Sequence, residues 1–237
     1  RYGTGRGCGS AFWCQCRRTD GQRIAERIDV MEYLCREVNG TAERVAARSI
    51  VLAEYARSGY ISQEDAQAGL AGVLPSDAAL NSPDSTTLVI PSGERIVGTV
   101  SVVFDSPAGF PMDSLYHEEL EVLRKDGYQL AEVVQLATDQ DFVAGLPGIG
   151  GGLALILPLF QGVLKLGKER GVDGFCITVN PKHDRFYTEI GFVPLGPERR
   201  YEALSGAPTL PKILYWQSVL EHPDQQGPLS CLLSDAV

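Results

Sequence analysis

The segment from Gly174 to Phe192 constrains the fold more than any other part of the chain, because its pattern changes from strand to helix within a short stretch. Residues 174–179 form an apolar run typical of a buried strand, and Asn180-Pro181 begins a polar turn. Phe186-Tyr187 then lie in a short predicted helix. The pattern therefore predicts an α/β fold in which the Tyr187 phenol lies beside the end of a buried strand.

The rest of the chain alternates between helix and strand patterns, which favours one mixed α/β domain. Helical periodicity predicts two N-terminal helices, over 22–38 and 42–58, and residues 61–86 are turn-rich with room for a short helix. The later predicted elements are a hairpin of strands 86–91 and 95–105, helix 114–127, strands 129–138 and 172–179, helix 182–190, and strands 192–196 and 212–218. We expect a poorly structured leader over 1–20, a single domain over 21–220 and a tail over 221–237.

The uncharged segment 142–164 is long enough for a membrane span if it were one continuous helix. Pro147, the glycine-rich run 148–152 and Pro158 interrupt it, and Lys165 and Lys168 follow directly. We therefore predict a buried helix preceded by a glycine-rich loop, and no transmembrane segment. The leucine-rich stripe of this helix suits either core packing or the wall of an acyl tunnel.

The formal net charge of −9 argues against a general nucleic-acid binder, which needs a net basic face. One window, residues 165–200, is nevertheless locally basic. It has two interpretations: a docking patch for an acidic or phosphate-bearing partner, or a mixed solvated surface.

The cysteines indicate a reduced, cytoplasmic protein rather than a disulfide-bonded or zinc-binding one. No secretory signal precedes them, and their spacings lack the paired C-x2-C units of zinc ribbons. Cys176 lies within an apolar strand pattern, where a thiol usually packs as a small hydrophobe. The six are Cys8, Cys14, Cys16, Cys35, Cys176 and Cys231.

An ordered set of motifs resembles the N-acyl amino acid synthase (FeeM-like) branch of the GNAT acyltransferase fold, which is related to the acyl-homoserine lactone synthases. The similarity covers roughly residues 45 to 218, and the ordered combination is more specific than any one motif. The resemblance implies a central, mixed and mostly antiparallel twisted sheet flanked by helices. The motifs are Arg95–Thr99, Gly109-Phe110-Pro111-Met112-Asp113, Leu120–Arg124, Leu130–Ala137, Asn180–Tyr187 and Gly191-Phe192.

The resemblance implies an N-acyltransferase that joins a long-chain fatty acyl group to the amine of an amino acid, as in the biosynthesis of antibiotic or signalling lipids. The acyl donor would be a thioester on acyl carrier protein, so acyl-phosphopantetheine is a co-substrate and no cofactor is tightly bound. Two alternatives remain: a short-chain N-acetyltransferase that uses coenzyme A, and a non-catalytic module that binds acyl groups or acyl carrier protein. The sequence leaves the amine acceptor and the acyl length open.

Amide formation from a thioester needs a neutral amine, stabilisation of an oxyanion and protonation of the departing thiolate. Glu132, a carboxylate in an apolar strand, would orient or deprotonate the amine, or else pair with an arginine. Tyr187 would protonate the thiolate, or else pack on the sheet. His183 would relay a proton or bind the donor's phosphate, or else cap the helix or pair with Asp184.

The remaining candidate residues concern substrate binding. The backbone of the glycine-rich run would hold the donor's phosphate at a helix start, or else act as a hinge. Gln135 lies where the lactone synthases usually carry Arg, which argues against a homoserine-lactone type of amine. The assignments are Gly148, Gly150, Gly151, Lys182 and Arg185 for the acyl donor, and Gln135 and Phe186 for the substrate.

Overall fold

The computed structural model describes residues 33–69, 72–146 and 152–217. Six helices form in these ranges: α1 (Gly40–Arg57), α2 (Gln63–Ala68), α3 (Asp113–Lys125), α4 (Gln140–Ala144), α5 (Leu153–Arg170) and α6 (Asp184–Glu189). The strands are β1 (Arg36–Glu37), β2 (Ser85–Ser92), β3 (Arg95–Phe104), β4 (Leu130–Thr138), β5 (Gly174–Val179), β6 (Val193–Pro194), β7 (Arg199–Tyr201) and β8 (Ala207–Tyr215).

The strands form one open sheet in the order β1-β2-β3-β4-β5-β8-β6, with β7 paired to β8. The pair β4–β5 is parallel, and the other six pairs are antiparallel. The predicted fold class, a mixed and mostly antiparallel sheet flanked by helices, is confirmed.

Helices cover both faces of the sheet. Helix α5 covers one face and buries Leu155, Leu159 and Phe160 in the largest apolar cluster, so the leucine-rich stripe is core packing. On the other face, Leu52 of α1 and Leu120 of α3 are buried in separate clusters.

Helix α5 approaches the sheet closely at Gly167. A Cβ atom at this position would lie 2.1 Å from Cζ of Phe175, a buried residue of β5. Only glycine therefore allows this approach, and its position sets how closely α5 and β5 pack.

Several predicted elements match, and others need correction. Helix 42–58, the hairpin, helix 114–127 and strand 129–138 are confirmed within a few residues. The prediction that the first helix extends over residues 33–38 is wrong, because Arg36 and Glu37 instead pair with β2. The rest of that predicted helix, the leader and the tail lie outside the described residues. The last strand begins at Ala207 rather than 212, since Pro208 and Pro211 obscured a strand that pairs with β5, β6 and β7.

The uncharged segment 142–164 contains parts of the short helix α4 and of the buried helix α5. This agrees with the prediction of a buried helix rather than one continuous membrane-spanning helix. Within the described ranges no helix has the length and apolarity to cross a membrane. Cys176 is fully buried, as expected for packing, and burial raises the pKa of its thiol. Cys35 is half-buried, and the other four cysteines lie outside the described residues.

Candidate active site

The central feature of the site is a gap between the parallel strands β4 and β5. They pair over three residues only, ending at Glu132 opposite Cys176. Beyond this point no pairing joins residues 133–137 of β4 to 177–179 of β5, which we call the strand gap. Backbone groups that border the gap are therefore available to a bound chain that carries amides.

A β-bulge in β4 accompanies the gap. The pairing with β3 shifts between Thr99 and Ser101, where β4 carries one extra residue, and Gln135 has a positive φ of 55°. A bulge bends its strand and redirects a side chain. Gln135 is turned towards the 72–82 segment, where its Nε2 donates to Ser76 Oγ at 2.8 Å.

Gln135 thereby joins a buried polar network. Gln135 Nε2 also lies 3.5 Å from Asp77 Oδ1. Asp77 in turn accepts two hydrogen bonds from the Arg48 guanidinium of α1. Burial alone would raise the pKa of Asp77, but Arg48 and the amides of Leu74 and Gly72 outweigh burial and hold this pKa below its usual range. The network ties α1 to the bulge in β4 and so fixes one side of the strand gap.

Glu132 lies at the point where the two strands part. It is 1% exposed, and its Oε2 accepts a hydrogen bond from the Met112 amide at 3.0 Å. No ion pair to Glu132 is found among the described residues, so the alternative of an arginine partner is not observed there. Burial, reinforced by the negative charge of Asp113, raises the pKa of Glu132 to about 8. A carboxyl group with this pKa can exchange a proton with an ammonium group near neutral pH.

Tyr187 lies on α6, just beyond the end of β5. Asn180 caps the connecting turn by accepting from the Lys182 amide at 3.1 Å. The Tyr187 ring makes edge-to-face contacts with Phe160 and Phe192, at centroid distances of 6.3 and 5.7 Å. Burial, with a smaller contribution from Tyr60, raises the pKa of Tyr187 to about 12, so the phenol stays protonated and can act as a donor.

Three further tyrosines, which the sequence analysis missed, accompany Tyr187, and we call these four phenols the tyrosine cluster. Tyr55 of α1 packs against the apolar group that contains Ala137 of β4, while Tyr60 hydrogen-bonds to Asn180 after β5. Their ring centroids are 5.5 Å apart, so the pair bridges the open end of the strand gap. Tyr201 of β7 donates to the Pro111 carbonyl at 3.1 Å.

Tyr55 lies within electrostatic range of the rest of the tyrosine cluster and of Glu132. Burial raises the pKa of Tyr55, and charges on Tyr60, Tyr187, Glu132 and Tyr201 raise it further. Burial also raises the pKa of Tyr201, and the Glu132 charge adds to this effect. The only local signal for Tyr55 was its position seven residues after Arg48, on the same face of α1.

The other predicted site residues lie on α6 and the turn before it, or outside the described residues. His183 is exposed at the start of α6; it makes no capping hydrogen bond, and within the described residues Asp184 pairs with Lys212 instead. Partial burial, together with the charge of nearby Lys182, lowers the pKa of His183. Phe186 packs edge-to-face on Tyr187 at 5.2 Å. Gly148, Gly150 and Gly151 lie outside the described residues.

The two basic residues predicted for the acyl donor lie beside the end of β5. Lys182 lies over the Tyr60 ring at 5.7 Å. Arg185 is 91% exposed and pairs with Glu189 across one turn of α6. Among the described residues, no three His, Cys, Asp or Glu side chains gather as a metal site.

Comparisons with known proteins identify the family of this chain. The model of the family "N-acyl amino acid synthase FeeM" matches residues 46–212. The structure of FeeM, an N-acyl amino acid synthase from uncultured soil microbes, is 36% identical, covers 81% of this chain and 94% of that chain, and superposes with a TM-score of 0.66. An agmatine N-acetyltransferase mutant is 15% identical over 77% of this chain and 98% of that chain, with a TM-score of 0.50, and shows the fold alone. No curated protein matches the chain.

Proposed function

The chain belongs to the N-acyl amino acid synthase FeeM family of acyltransferases with the GNAT fold, and we propose from this premise that it joins a long-chain fatty acyl group, carried as a thioester on acyl carrier protein, to the amine of an amino acid. One observation carries the proposal. The buried Glu132, whose pKa is about 8, lies where β4 and β5 part, the protonated Tyr187 lies just beyond the end of β5, and the charges of both act on Tyr55. A base and an acid beside an opening between strands are what aminolysis of a thioester requires.

The two groups divide the proton transfers between them. Ionised Glu132 accepts a proton from the substrate ammonium group, and the neutral amine then attacks the thioester carbonyl carbon. A C–N bond forms and the C–S bond breaks. The departing thiolate takes the phenolic proton of Tyr187, which regains a proton from the nitrogen that has become the amide. One proton, the one held by Glu132, is released to solvent.

Two features support an extended thioester as the donor. The unpaired edges of the strand gap can hydrogen-bond to the two amides of a phosphopantetheine arm, as a strand would. Lys182 and Arg185 lie at the end of β5 that opens into the gap, where they can meet an acidic carrier protein. The net charge of −9 makes such a local basic surface necessary for that encounter.

The basic window of the sequence does not form one patch. Lys165 and Lys168 lie near the C-terminus of α5, which joins the start of β5, whereas Lys182 and Arg185 follow its end. Since β5 has six residues, the two groups are separated by roughly 20 Å. Only the second group adjoins the strand gap, so it is the one we assign to docking of the carrier protein.

The test uses purified protein with acyl carrier protein thioesters or coenzyme A thioesters of matched acyl length, and a mixture of amino acids. Mass spectrometry of the extract detects any N-acyl amino acid and identifies the amine. We expect long-chain amides from the carrier-protein donor. Amides formed only from acetyl-coenzyme A would refute the long-chain assignment, and tight donor binding without any amide would indicate a binding module.

A pair of charge variants tests the docking surface. We expect Lys182→Gln with Arg185→Gln to raise KM for the carrier-protein donor by about 10-fold, because each charge near a contact contributes of order 1 kcal/mol or less. Lys125→Gln with Lys165→Gln removes the same charge from distant, exposed positions and serves as the matched control. Equal effects of the two pairs would refute local docking beside the strand gap.

A further inference from the structure

Lys212 of β8 is a buried cation that the reaction described above does not use. It is 2% exposed and lies between Ile177 of β5 and Pro194 of β6 in the sheet. Its Nζ donates to Asp184 Oδ1 at 2.5 Å and to Thr188 Oγ1 at 2.6 Å. Both partners belong to α6, the helix that carries Tyr187.

Besides Lys212, the ring contacts of Phe186 and Tyr187 hold helix α6. The helix has six residues, each at least partly exposed, and its first residue is not capped by a side chain. Asp184 and Thr188 are four residues apart and so lie on one face of the helix, with Tyr187 beside Thr188. Lys212 therefore holds both ends of the turn that presents the phenol.

Stability does not explain the arrangement well. Burying an ammonium group costs several kcal/mol, and an apolar residue of similar volume often gives equal or greater stability than a buried ion pair. Asp184 is 46% exposed at its side chain, so solvent weakens the attraction that offsets the cost. Unlike an apolar contact, the hydrogen bonds of Lys212 fix the orientation of α6, because two bonds of defined geometry locate this helix on the sheet.

We propose that Lys212 is a positioning residue for acyl transfer, which fixes α6 so that the Tyr187 hydroxyl faces the departing thiolate. This inference rests on the proposed function, in which Tyr187 is the acid. Lys212 touches neither substrate nor reacting atoms and acts through Asp184, Thr188 and the backbone between them.

The experiment compares Lys212→Met with wild type on two donors that carry the same acyl chain. One is the acyl carrier protein thioester, an alkyl thioester whose thiolate needs protonation on leaving. The other is an aryl thioester, whose thiolate is a much weaker base and leaves without an acid. We expect Lys212→Met to lower kcat for the alkyl thioester by about 10- to 100-fold with little change in KM, as a small displacement of a reacting group does. The aryl thioester should restore kcat to within about 3-fold of wild type.

Two further variants make the result specific. Tyr187→Phe should show the same dependence on the donor, and adding Lys212→Met to it should cause no further loss. Lys125→Met, at an exposed position on α3, controls for the loss of a lysine. If Lys212→Met does not fold, Asp184→Asn weakens the same contact from its exposed side and should give the same pattern.

The outcomes separate the two proposals. Unchanged kcat of Lys212→Met on the alkyl thioester, or an equal loss on both donors, would overturn the positioning role while leaving the proposed function intact. Wild-type protein that forms no amide from the carrier-protein thioester would instead refute the proposed function, and the positioning role with it.

Discussion

Replacing Glu132 with glutamine should strongly reduce catalysis and at the same time stabilise the protein, by an amount that grows with pH. Glutamine keeps the shape of the side chain and an oxygen that can accept from the Met112 amide, but it cannot ionise. The change therefore removes a proton acceptor and also the cost of a charge at a position that is 1% exposed.

The magnitude follows from the pKa of Glu132, about 8 in the folded protein against its ordinary value of 4.5. Between these two values the folded state keeps the proton while the unfolded state releases it, so the free energy of unfolding of the wild type falls as pH rises. The cost is about 1 kcal/mol at pH 5, about 3 kcal/mol at pH 7 and at most about 5 kcal/mol above pH 8. Glu132→Gln does not carry this cost.

The assay is urea denaturation of wild type and Glu132→Gln at pH 5, 6, 7 and 8, followed by circular dichroism. We expect the difference in free energy of unfolding to shift by about 2 kcal/mol in favour of the variant between pH 5 and pH 7. Glu94→Gln, in the exposed turn between β2 and β3, controls for the loss of a carboxylate. Over the same range the wild-type kcat should rise with pH towards an inflection near 8, and the variant should lose about 10²- to 10⁴-fold in kcat/KM.

Two results would refute this reasoning. A stability difference that stays constant from pH 5 to pH 8 would mean that Glu132 titrates as it does in the unfolded chain. A difference that shifts in favour of the wild type as pH rises would mean that the folded protein stabilises the ionised carboxylate, as a cationic partner would.

Three further predictions concern the surroundings of the site. Tyr187→Phe keeps the ring contacts with Phe160 and Phe192, so its melting temperature should stay close to that of wild type while kcat for an alkyl thioester falls about 10²- to 10⁴-fold; unchanged turnover would remove Tyr187 from the reaction. Gly167→Ala places a methyl group against the Phe175 ring and should lower the free energy of unfolding in urea by about 1–3 kcal/mol, whereas a gain would show that α5 can shift freely. Arg48→Met leaves the buried Asp77 without its guanidinium partner and should lower the free energy of unfolding in urea by about 2–4 kcal/mol. Because the pKa of Asp77 rises in the variant, this loss should shrink as pH falls through the wild-type pKa of Asp77. A loss independent of pH would contradict the ion-pair explanation.

Local sequence determined most of the secondary structure and the type of activity. The switch from strand to helix across Gly174–Phe192 placed Tyr187 beside the end of β5, and the carboxylate at 132 stood out because it interrupts an apolar strand. Periodicity and turn residues act over a few positions, so they can be read without knowing what each element packs against. The same local patterns, in order, carried the resemblance to the family that the comparisons confirmed.

Tertiary structure decided what surrounds those residues. The parting of β4 and β5 is accompanied by a bulge whose side chain, Gln135, is held by Ser76 far away in the chain. Tyr55, Tyr60 and Tyr201 come from separate elements, and no spacing in the sequence relates them to Glu132. The basic window, continuous in sequence, divides between the two ends of β5 because a strand carries the chain across the sheet.

The pKa of Glu132 and the burial of Lys212 have the same origin. The identity of a residue does not show how much water reaches its side chain, since desolvation depends on every element packed around it. The sequence by itself determined which chemical groups the protein carries and on which kind of element each one lies. Only the packed sheet and its helices decided which groups meet, and at what pKa, because those properties depend on long-range contacts.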